Sequence, residues 1–460
     1  MDRDRLVPII VASPLFLQNL DTSVMATALP SIAESLHVPP LHLNLAITSY
    51  LLSLAVFLPV SAWFSDRFGS KRVFCVAIAF FSLGSALCGA ANSLPELVLF
   101  RVLQGLGGAM MVPVGRLILL RSVPPSQIIS AMVWFTVPAV VGRMMGPLFG
   151  GAVVTMTSWR WIFFINIPFG LLAILLALAF VKDTDGATEH VPFDTRGFLL
   201  LAFGLCTLLG ALETAGKALA PNWVSCLAVG LGSLALLLYY LHGRSQKHPI
   251  IDLSILRFRT FRANVVGGAP LRIAIGASPF LLPLMLQLGF GLSPLASGLI
   301  TVAAAIGGLG TRVVMKRAIH GFGFRNLLIG TTVMTSLFYM SYSQFTPSTP
   351  HSLIFCTLMM GGLFTSMCMV SLGALGFSEV PEPRLNHATS LASMVQQLSL
   401  SFGVVLGASL VSAASWWYGG DAVHLQARDF SPAFVVVGML TMLSLYSFLQ
   451  LHPKEGADLH

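Results

Sequence analysis

The feature that most constrains this chain is a recurrence: apolar stretches long enough to cross the hydrocarbon of a bilayer, about 20 residues each, follow one another along its whole length. Fourteen can be read, with approximate cores at 6 to 28, 44 to 64, 73 to 93, 95 to 119, 131 to 155, 161 to 181, 197 to 216, 222 to 242, 263 to 288, 294 to 311, 326 to 345, 350 to 377, 389 to 413 and 431 to 451. Only 10% of the residues are charged and the mean hydropathy is +0.83, so lipid is the solvent for most side chains. The expected fold class is an all-α polytopic membrane protein. The first stretch ends in Asp21 and a Leu29-Pro30 break rather than a small-residue cleavage site, and reads as a retained span. All six cysteines fall in apolar segments without metal-ligand spacing, so no disulfide framework, metal site or cofactor is expected.

The net charge of +8 raises the question of nucleic acid, and its distribution answers it. Sorted by loop, twenty Lys and Arg residues, from Arg3 to Lys454, fall on one side, and Arg160, Lys217 and Arg428 on the other. The positive-inside rule makes the first set cytoplasmic, which places both termini there and makes the number of spans even. A multi-pass membrane protein is expected, with the lipid bilayer as a partner and no nucleic acid; a bacterial inner-membrane location, a small-molecule substrate with protons, and function as a monomer are what the family resemblance given below implies.

The longest polar connections, roughly 182 to 196, 243 to 262 and 414 to 430, are too short to hide a soluble domain. The loop 65 to 72, Ser-Asp-Arg-Phe-Gly-Ser-Lys-Arg, is matched eight spans later by 319 to 325, Ile-His-Gly-Phe-Gly-Phe-Arg. Both carry Phe-Gly-x-Lys/Arg, which points to two homologous six-span halves, 1 to 181 and 263 to 460, with a helix pair and its flanking loops inserted at 182 to 262. Repeated halves around a midplane site are a common plan of alternating-access transporters.

Residues with chemistry are few. Asp21 is the carboxylate well inside an apolar span, with Glu213 near the outer end of the seventh. Its position costs about 2.5 to 3.5 kcal/mol on insertion scales, and a carboxyl group there can take up and release a proton as its access to water changes. A structural partner for a neighbouring arginine is the plainer reading. Arg101 shares a helical face with Gln104, Gly105 and Gly108. It stays charged, so it can modulate a nearby acid but not carry the proton. In the fifth span Gly142, Gly146 and Gly150 form a small-residue face, and Pro147 deprives the Arg143 carbonyl of its usual donor, so a bend is expected. Arg143 and Arg272 lack an evident acidic partner and are candidates for binding an anionic substrate, Arg272 the stronger. Ser399, Gly403 and Gly407 read as packing, whereas Gln396 and Gln397 could line a cavity. No phosphate-binding loop, His-Glu-x-x-His or Gly-x-Ser-x-Gly is present, so ATP-driven pumping and hydrolysis lose support, and the chain is not expected to be an enzyme.

Together these motifs resemble the major facilitator superfamily, and within it the fourteen-span drug:proton antiporter branch, over essentially the whole chain. Leu20 to Pro30 is similar to the branch's first-span signature, Ala62 to Arg72 to the gating loop, Arg101 to Gly108 to the fourth-span coupling motif, and Trp159 to Gly170 to the sixth-span signature. Phe193-Asp194-x-x-Gly197 and Asp252-Leu253-x-x-Leu256-x-x-Arg259-x-Phe261 resemble the flanks of the inserted pair. The resemblance implies a major facilitator fold of fourteen helices and proton-coupled multidrug efflux by antiport. It also implies proton coupling by Asp21 and Arg101, gating by Asp66, Arg67, Gly69, Lys71 and Arg72, and an antiporter motif at Gly142, Gly146, Pro147, Gly150 and Gly151. Gln104, Arg143, Arg272, Gln396 and Gln397 are the substrate-binding candidates. The sequence departs from the pattern at Ala26, Ala62, Arg143 and His320, the last standing where the first half has Asp66. Export of a small organic anion or metal chelate such as citrate is the alternative. A transporter-like sensor or a channel is a further one.

Overall fold

A transmembrane segment has no water to satisfy its backbone, so each stretch must close its own hydrogen bonds as a helix. The computed structural model of the chain describes residues 3–122, 128–181, 192–214, 221–246, 249–381, 384–420 and 425–452. Lys182, Lys217, Lys247 and Lys454, counted among the loop cations above, lie outside them. Among the described residues thirteen helices are long and apolar enough to span a membrane. The remaining expected span, 326 to 345, is the far part of the continuous run Pro294–Tyr342. Gly323 breaks that run with φ +71° and ψ 163°, dividing it into two, and the fold is a fourteen-helix bundle.

In chain order the helices are α1 (Arg3–Leu36), α2 (Asn44–Phe57, continued through Leu58–Val60 into Ser61–Phe68), α3 (Ser70–Ala90), α4 (Leu94–Ser122), α5 (Ile128–Met156), α6 (Asn166–Phe180), α7 (Thr195–Thr214) and α8 (Asn222–Ser245). Then come α9 (Ala269–Leu284), α10 (294–322), α11 (324–342), α12 (His351–Gly376), α13 (Leu385–Trp417) and α14 (Ala427–Met442, continued as Ser444–Leu449). Wider π turns, Ala263–Gly267 and Met285–Gly289, flank α9.

The chain divides into two compact units. One comprises Met1–Val38, Leu45–Leu212 and Pro221–Ile250; the other comprises Pro39–Asn44, Glu213–Ala220 and Ile251–His460. Inside the first, α1 packs on α5 and α6, and α3 on α4 and α6. Inside the second, α9 packs on α13 and α14, while Thr332 of α11 meets Cys368 of α12 and Ser336 of α11 donates to the Gly438 carbonyl of α14. These are the same pairings displaced by eight helices. The repeated motif behaves alike in both units. Gly69 (φ 85°, ψ 137°) and Gly323 both adopt backbone geometry open essentially only to glycine. Two residues on, Lys71 Nζ donates to the Leu178 carbonyl of α6 at 2.9 Å, and Arg325 Nη2 to the Leu449 carbonyl at the end of α14 at 3.0 Å.

Helices α7 and α8 pack through glycines, since a side chain at Gly204 would strike Leu236 and one at Gly232 would strike Thr207 and the Leu208 backbone. Asp194 caps α7 by accepting from Gly197 N at 2.9 Å and also contacts His242 Nε2 of α8 at 2.8 Å, which accounts for that flanking motif. Leu227, Leu231, Leu234, Leu238 and Leu241 of α8 are exposed, a face suited to lipid.

Candidate functional site

The polar centre of the first unit is assembled by glycines on α4. A side chain at Gly105 would collide with Tyr50 and Ser53 of α2, and one at Gly107 with the backbone of α3 at Ala77 and Phe81. Held this closely between two helices, α4 carries Arg101 and Gln104 into the interior, where both are wholly buried. Arg101 Nη1 donates to Asp21 Oδ2 of α1 at 2.6 Å and to Gln104 Oε1 at 2.7 Å, and Nε donates to the Ala46 carbonyl at 3.1 Å. The guanidinium lies over the Tyr50 ring, 4.2 Å from its centroid. The other Asp21 oxygen, Oδ1, accepts from Gln104 Nε2 at 3.0 Å and from Asn166 Nδ2 of α6 at 3.4 Å. Asn166 is fixed in turn by Ser85 Oγ at 2.9 Å, itself bound to the Phe163 carbonyl.

The carboxylate on α1 is therefore held from α4 and α6, and α2 and α3 support those partners, so five helices of one unit build the centre. Three of the polar groups, Asp21, Arg101 and Gln104, were expected from sequence; Asn166, Ser85, Tyr50 and the Ala46 carbonyl were not singled out. Asn166 stood inside the sixth-span signature, but an asparagine near a span end carries no signal of what it faces. The centre is not fully satisfied, because the buried Arg101 Nη2 and Asn166 Oδ1 have no hydrogen-bond partner among the described residues. Each such atom costs about 1 to 3 kcal/mol, so a rearrangement that pairs them has free energy to recover.

The fifth-span motif lies against α1. Side chains at Gly142, Gly146 and Gly150 would meet Phe16, Ser23 and Val24 respectively. Helix α5 runs unbroken through Pro147, and the Arg143 carbonyl left without its donor is taken by Ser23 Oγ at 3.0 Å. Gly151 is buried beside this contact helix face. The Arg143 side chain is exposed and donates to Asn19 Oδ1 at 3.0 Å, with no acidic partner among the described residues.

In the loop 65 to 72 Asp66 faces Arg121 of α4 at 3.7 Å, and Arg121 also donates to Ser70 Oγ, which bonds Ser65. Arg67 and Arg72 are exposed and Lys71 is tied to α6 as described.

In the second unit the structure gives Arg272 a different setting. It is buried, and Nη1 and Nη2 donate to the carbonyl and the carboxamide oxygen of Asn264, both at 2.5 Å. Asn264 sits in the π turn, where Gly268 N reaches back five residues to the Ala263 carbonyl, just before Pro270, which has no N–H to donate. Gln396 and Gln397 are half-buried mid-way along α13. Gly403 and Gly407 pack that helix on Ile273 and Leu281 of α9, so the stripe expected to be packing does pack.

The profile of the Major Facilitator Superfamily aligns with residues 15–243 and 265–459. The chain belongs to that superfamily. It is 39% identical over 443 residues, 96% of this chain and 92% of the relative, to the "Putative multidrug resistance protein MdtD" of Escherichia coli O7:K1 (strain IAI39 / ExPEC). The protein of the same name from Klebsiella pneumoniae subsp. pneumoniae is 37% identical over the same length, again 96% of this chain and 92% of that protein. Among solved structures, a D-xylose-proton symporter superposes with a TM-score of 0.70 at 15% identity, covering 99% of each chain. A POT family transporter in complex with 5-aminolevulinic acid gives 0.71 at 14% identity, covering 97% of this chain and 96% of that one. Those likenesses confirm the fold. As a superfamily member the chain is a multi-pass membrane protein and a secondary transporter of small molecules, not an enzyme.

Proposed function

We propose that this transporter is a proton-coupled exporter working by alternating access in the bacterial inner membrane, with the Asp21 centre as its coupling site. The observation that carries the reading is the buried carboxylate held at once by Arg101, Gln104 and Asn166. Protonating Asp21 removes the counter-charge of a wholly buried guanidinium. A buried cation without its partner is costly by several kcal/mol, so one proton changes the relative stability of any two arrangements that treat Arg101 differently. The chain's likeness to proteins named for multidrug resistance favours lipophilic drugs as cargo. In this reading the halves 1 to 181 and 263 to 460 carry the alternation as a monomer, the pair within 182 to 262 is an insertion, and both termini are cytoplasmic. Gating falls to the loop with Asp66, Arg67, Gly69, Lys71 and Arg72.

The deciding experiment measures proton flux in proteoliposomes of the full chain against a panel of substrates. Substrate-dependent proton movement in the wild type is expected, and substrate flux that ignores an imposed pH gradient sinks the coupling claim. Conduction without any coupled gradient identifies a channel. Reporter fusions after residues 72 and 325 should read cytoplasmic; termini found on opposite sides overturn the topology.

A second reading, export of a small organic anion, draws on one observation: Arg143 is exposed and bound by a neutral amide. A guanidinium so placed is free to take a carboxylate in bidentate fashion. Arg272, buried and held at two nitrogens by Asn264, is the less accessible of the two.

A further inference from the structure

Away from the Asp21 centre, the second unit holds a cleft of about 210 Å³ where the start of the ninth span meets the end of α14. Its lining includes Arg259, Arg262 and Val266 on one wall and Tyr446, Ser447 and Gln450 on the other, with no acidic residue among the lining side chains. The walls approach closely because Gly267 abuts Ser447. Glu379, which touches the neighbouring Thr260, is occupied by that residue's N–H and Oγ1, each at 3.1 Å. The spanning segments run Arg259–Gly289 and Ala427–Leu449, so the cleft lies at a membrane boundary, on the side that carries the cationic excess.

We propose that this cleft binds the phosphodiester headgroup of an anionic phospholipid. Two guanidiniums within one turn suit a phosphate, which each can grip with paired N–H donors, while the Tyr446 and Ser447 hydroxyls and the Gln450 amide supply neutral donors. The surface below it selects lipid over a free anion. Val266 lines the cleft beside Arg262, and Leu443 lies one turn deeper than Tyr446 and Ser447 on the opposite wall. Val266 is 57% exposed, Leu443 62% and Tyr446 74%, so apolar surface continues from the charged pocket along both helices into the span. A tyrosine at such a boundary presents its ring to acyl chains and its hydroxyl to the headgroup layer.

Native mass spectrometry of the purified full chain in detergent tests this, titrating phosphatidylglycerol against phosphatidylethanolamine of the same acyl chains. One preferentially retained phosphatidylglycerol is expected, weakened roughly fivefold for each arginine removed in Arg259→Gln and Arg262→Gln. Gln450→Glu alters an exposed side chain, keeps both arginines, and should weaken retention similarly by placing a carboxylate in the cleft. It decides the matter alone if the double arginine variant does not purify as a monodisperse protein. Unchanged retention in Gln450→Glu, or equal retention of both lipids by the wild type, overturns the proposal. So does displacement of the lipid by inorganic phosphate, which would mark a free-anion site.

Discussion

Two buried arginines, one in each unit, solve the same problem in opposite ways. Arg101 is matched by a carboxylate, Asp21, which arrives from a different helix and is shared with Gln104 and Asn166. Arg272 is matched by a neutral amide, Asn264, eight residues earlier on its own helical run. The first arrangement contains a group that can change charge, and its partners stand on separate helices. In the second the closest partner cannot titrate and is covalently near, so it fastens the π turn to α9 whatever the protonation state. The units thus share turns, helix pairings and anchoring cations, yet they differ where chemistry is concerned. On the proposed reading, the half with Asp21 senses the proton and the half with Arg272 supplies a fixed frame.

The largest expected effect breaks the first centre. Asp21→Asn keeps the volume but leaves Arg101 without a counter-charge, and proton-driven transport should fall to the background of empty liposomes. Removing one partner of a buried pair also costs about 3 to 5 kcal/mol, visible as a lower midpoint of thermal unfolding in detergent. Retained accumulation driven by a pH gradient would mean that Asp21 is not the coupling carboxylate. Asn264→Ala is the counterpart in the second unit. It removes an acceptor for a charged donor, worth about 1.5 to 3 kcal/mol, so stability should drop while transport per folded molecule stays near wild type. If Asn264→Ala uncouples proton from substrate, the contrast between sensing and framing halves fails.

The spans, the echoed turn and the intramembrane residues Asp21 and Arg101 were legible because hydropathy, charge placement and a Phe-Gly-x-Lys/Arg echo are properties of the chain itself. Gly69 and Gly323 show how far this goes, since a short echo marked two positions with the same unusual backbone. Partners across helices were not legible. Nothing local says that Arg101 takes the Ala46 carbonyl or that Asn166 reaches Asp21, because those contacts depend on how helices are docked. Arg272 looked unpartnered for a different reason: its partner lies in a π turn, and helical spacing rules assume an unbroken α register. The extra residue per turn changes which side chains share a face.

A smaller effect tests the contact between α5 and α1. Gly146→Ala drives a methyl group into Ser23, so it should cost about 1 to 3 kcal/mol and shift the two helices. Ser23→Ala removes the hydroxyl half of that clash, though its Cβ remains in the way, and leaves the Arg143 carbonyl unpaired, at about 0.5 to 1.5 kcal/mol. Because both act on one contact, their effects should fall short of additive in the double variant, which unfolding midpoints of the four proteins will show. Full additivity would mean that Ser23 does not mediate the approach of Gly146.

The smallest effect compares the two aspartates that flank the inserted pair. Asp194 caps α7 in the first unit, and Asp252 caps the short turn Leu253–Arg257 in the second by accepting from Ser254 N at 3.0 Å. For Asp252 burial pushes the carboxyl upward. The Ser254 hydroxyl and N–H, then Arg384 and His387, outweigh it and hold the group below its ordinary 3.8. A depressed carboxyl contributes stability that is present above its unfolded value and lost as pH falls through its folded one. The wild type should therefore lose this contribution only below about pH 4. Arg384 stands 3.9 Å away and both side chains are well exposed, at 39% and 28%, so the charge is worth under about 1 kcal/mol. Asn caps a turn about as well as Asp, so Asp252→Asn should cost only that charge contribution near pH 7 and nothing once the wild-type carboxyl is protonated. Asp252→Ala, which also loses the cap, should remain the less stable at both pH values. Unfolding midpoints at the two pH values separate the terms, and an Asp252→Asn deficit that persists in acid would show that the carboxylate geometry, not its charge, holds this flank.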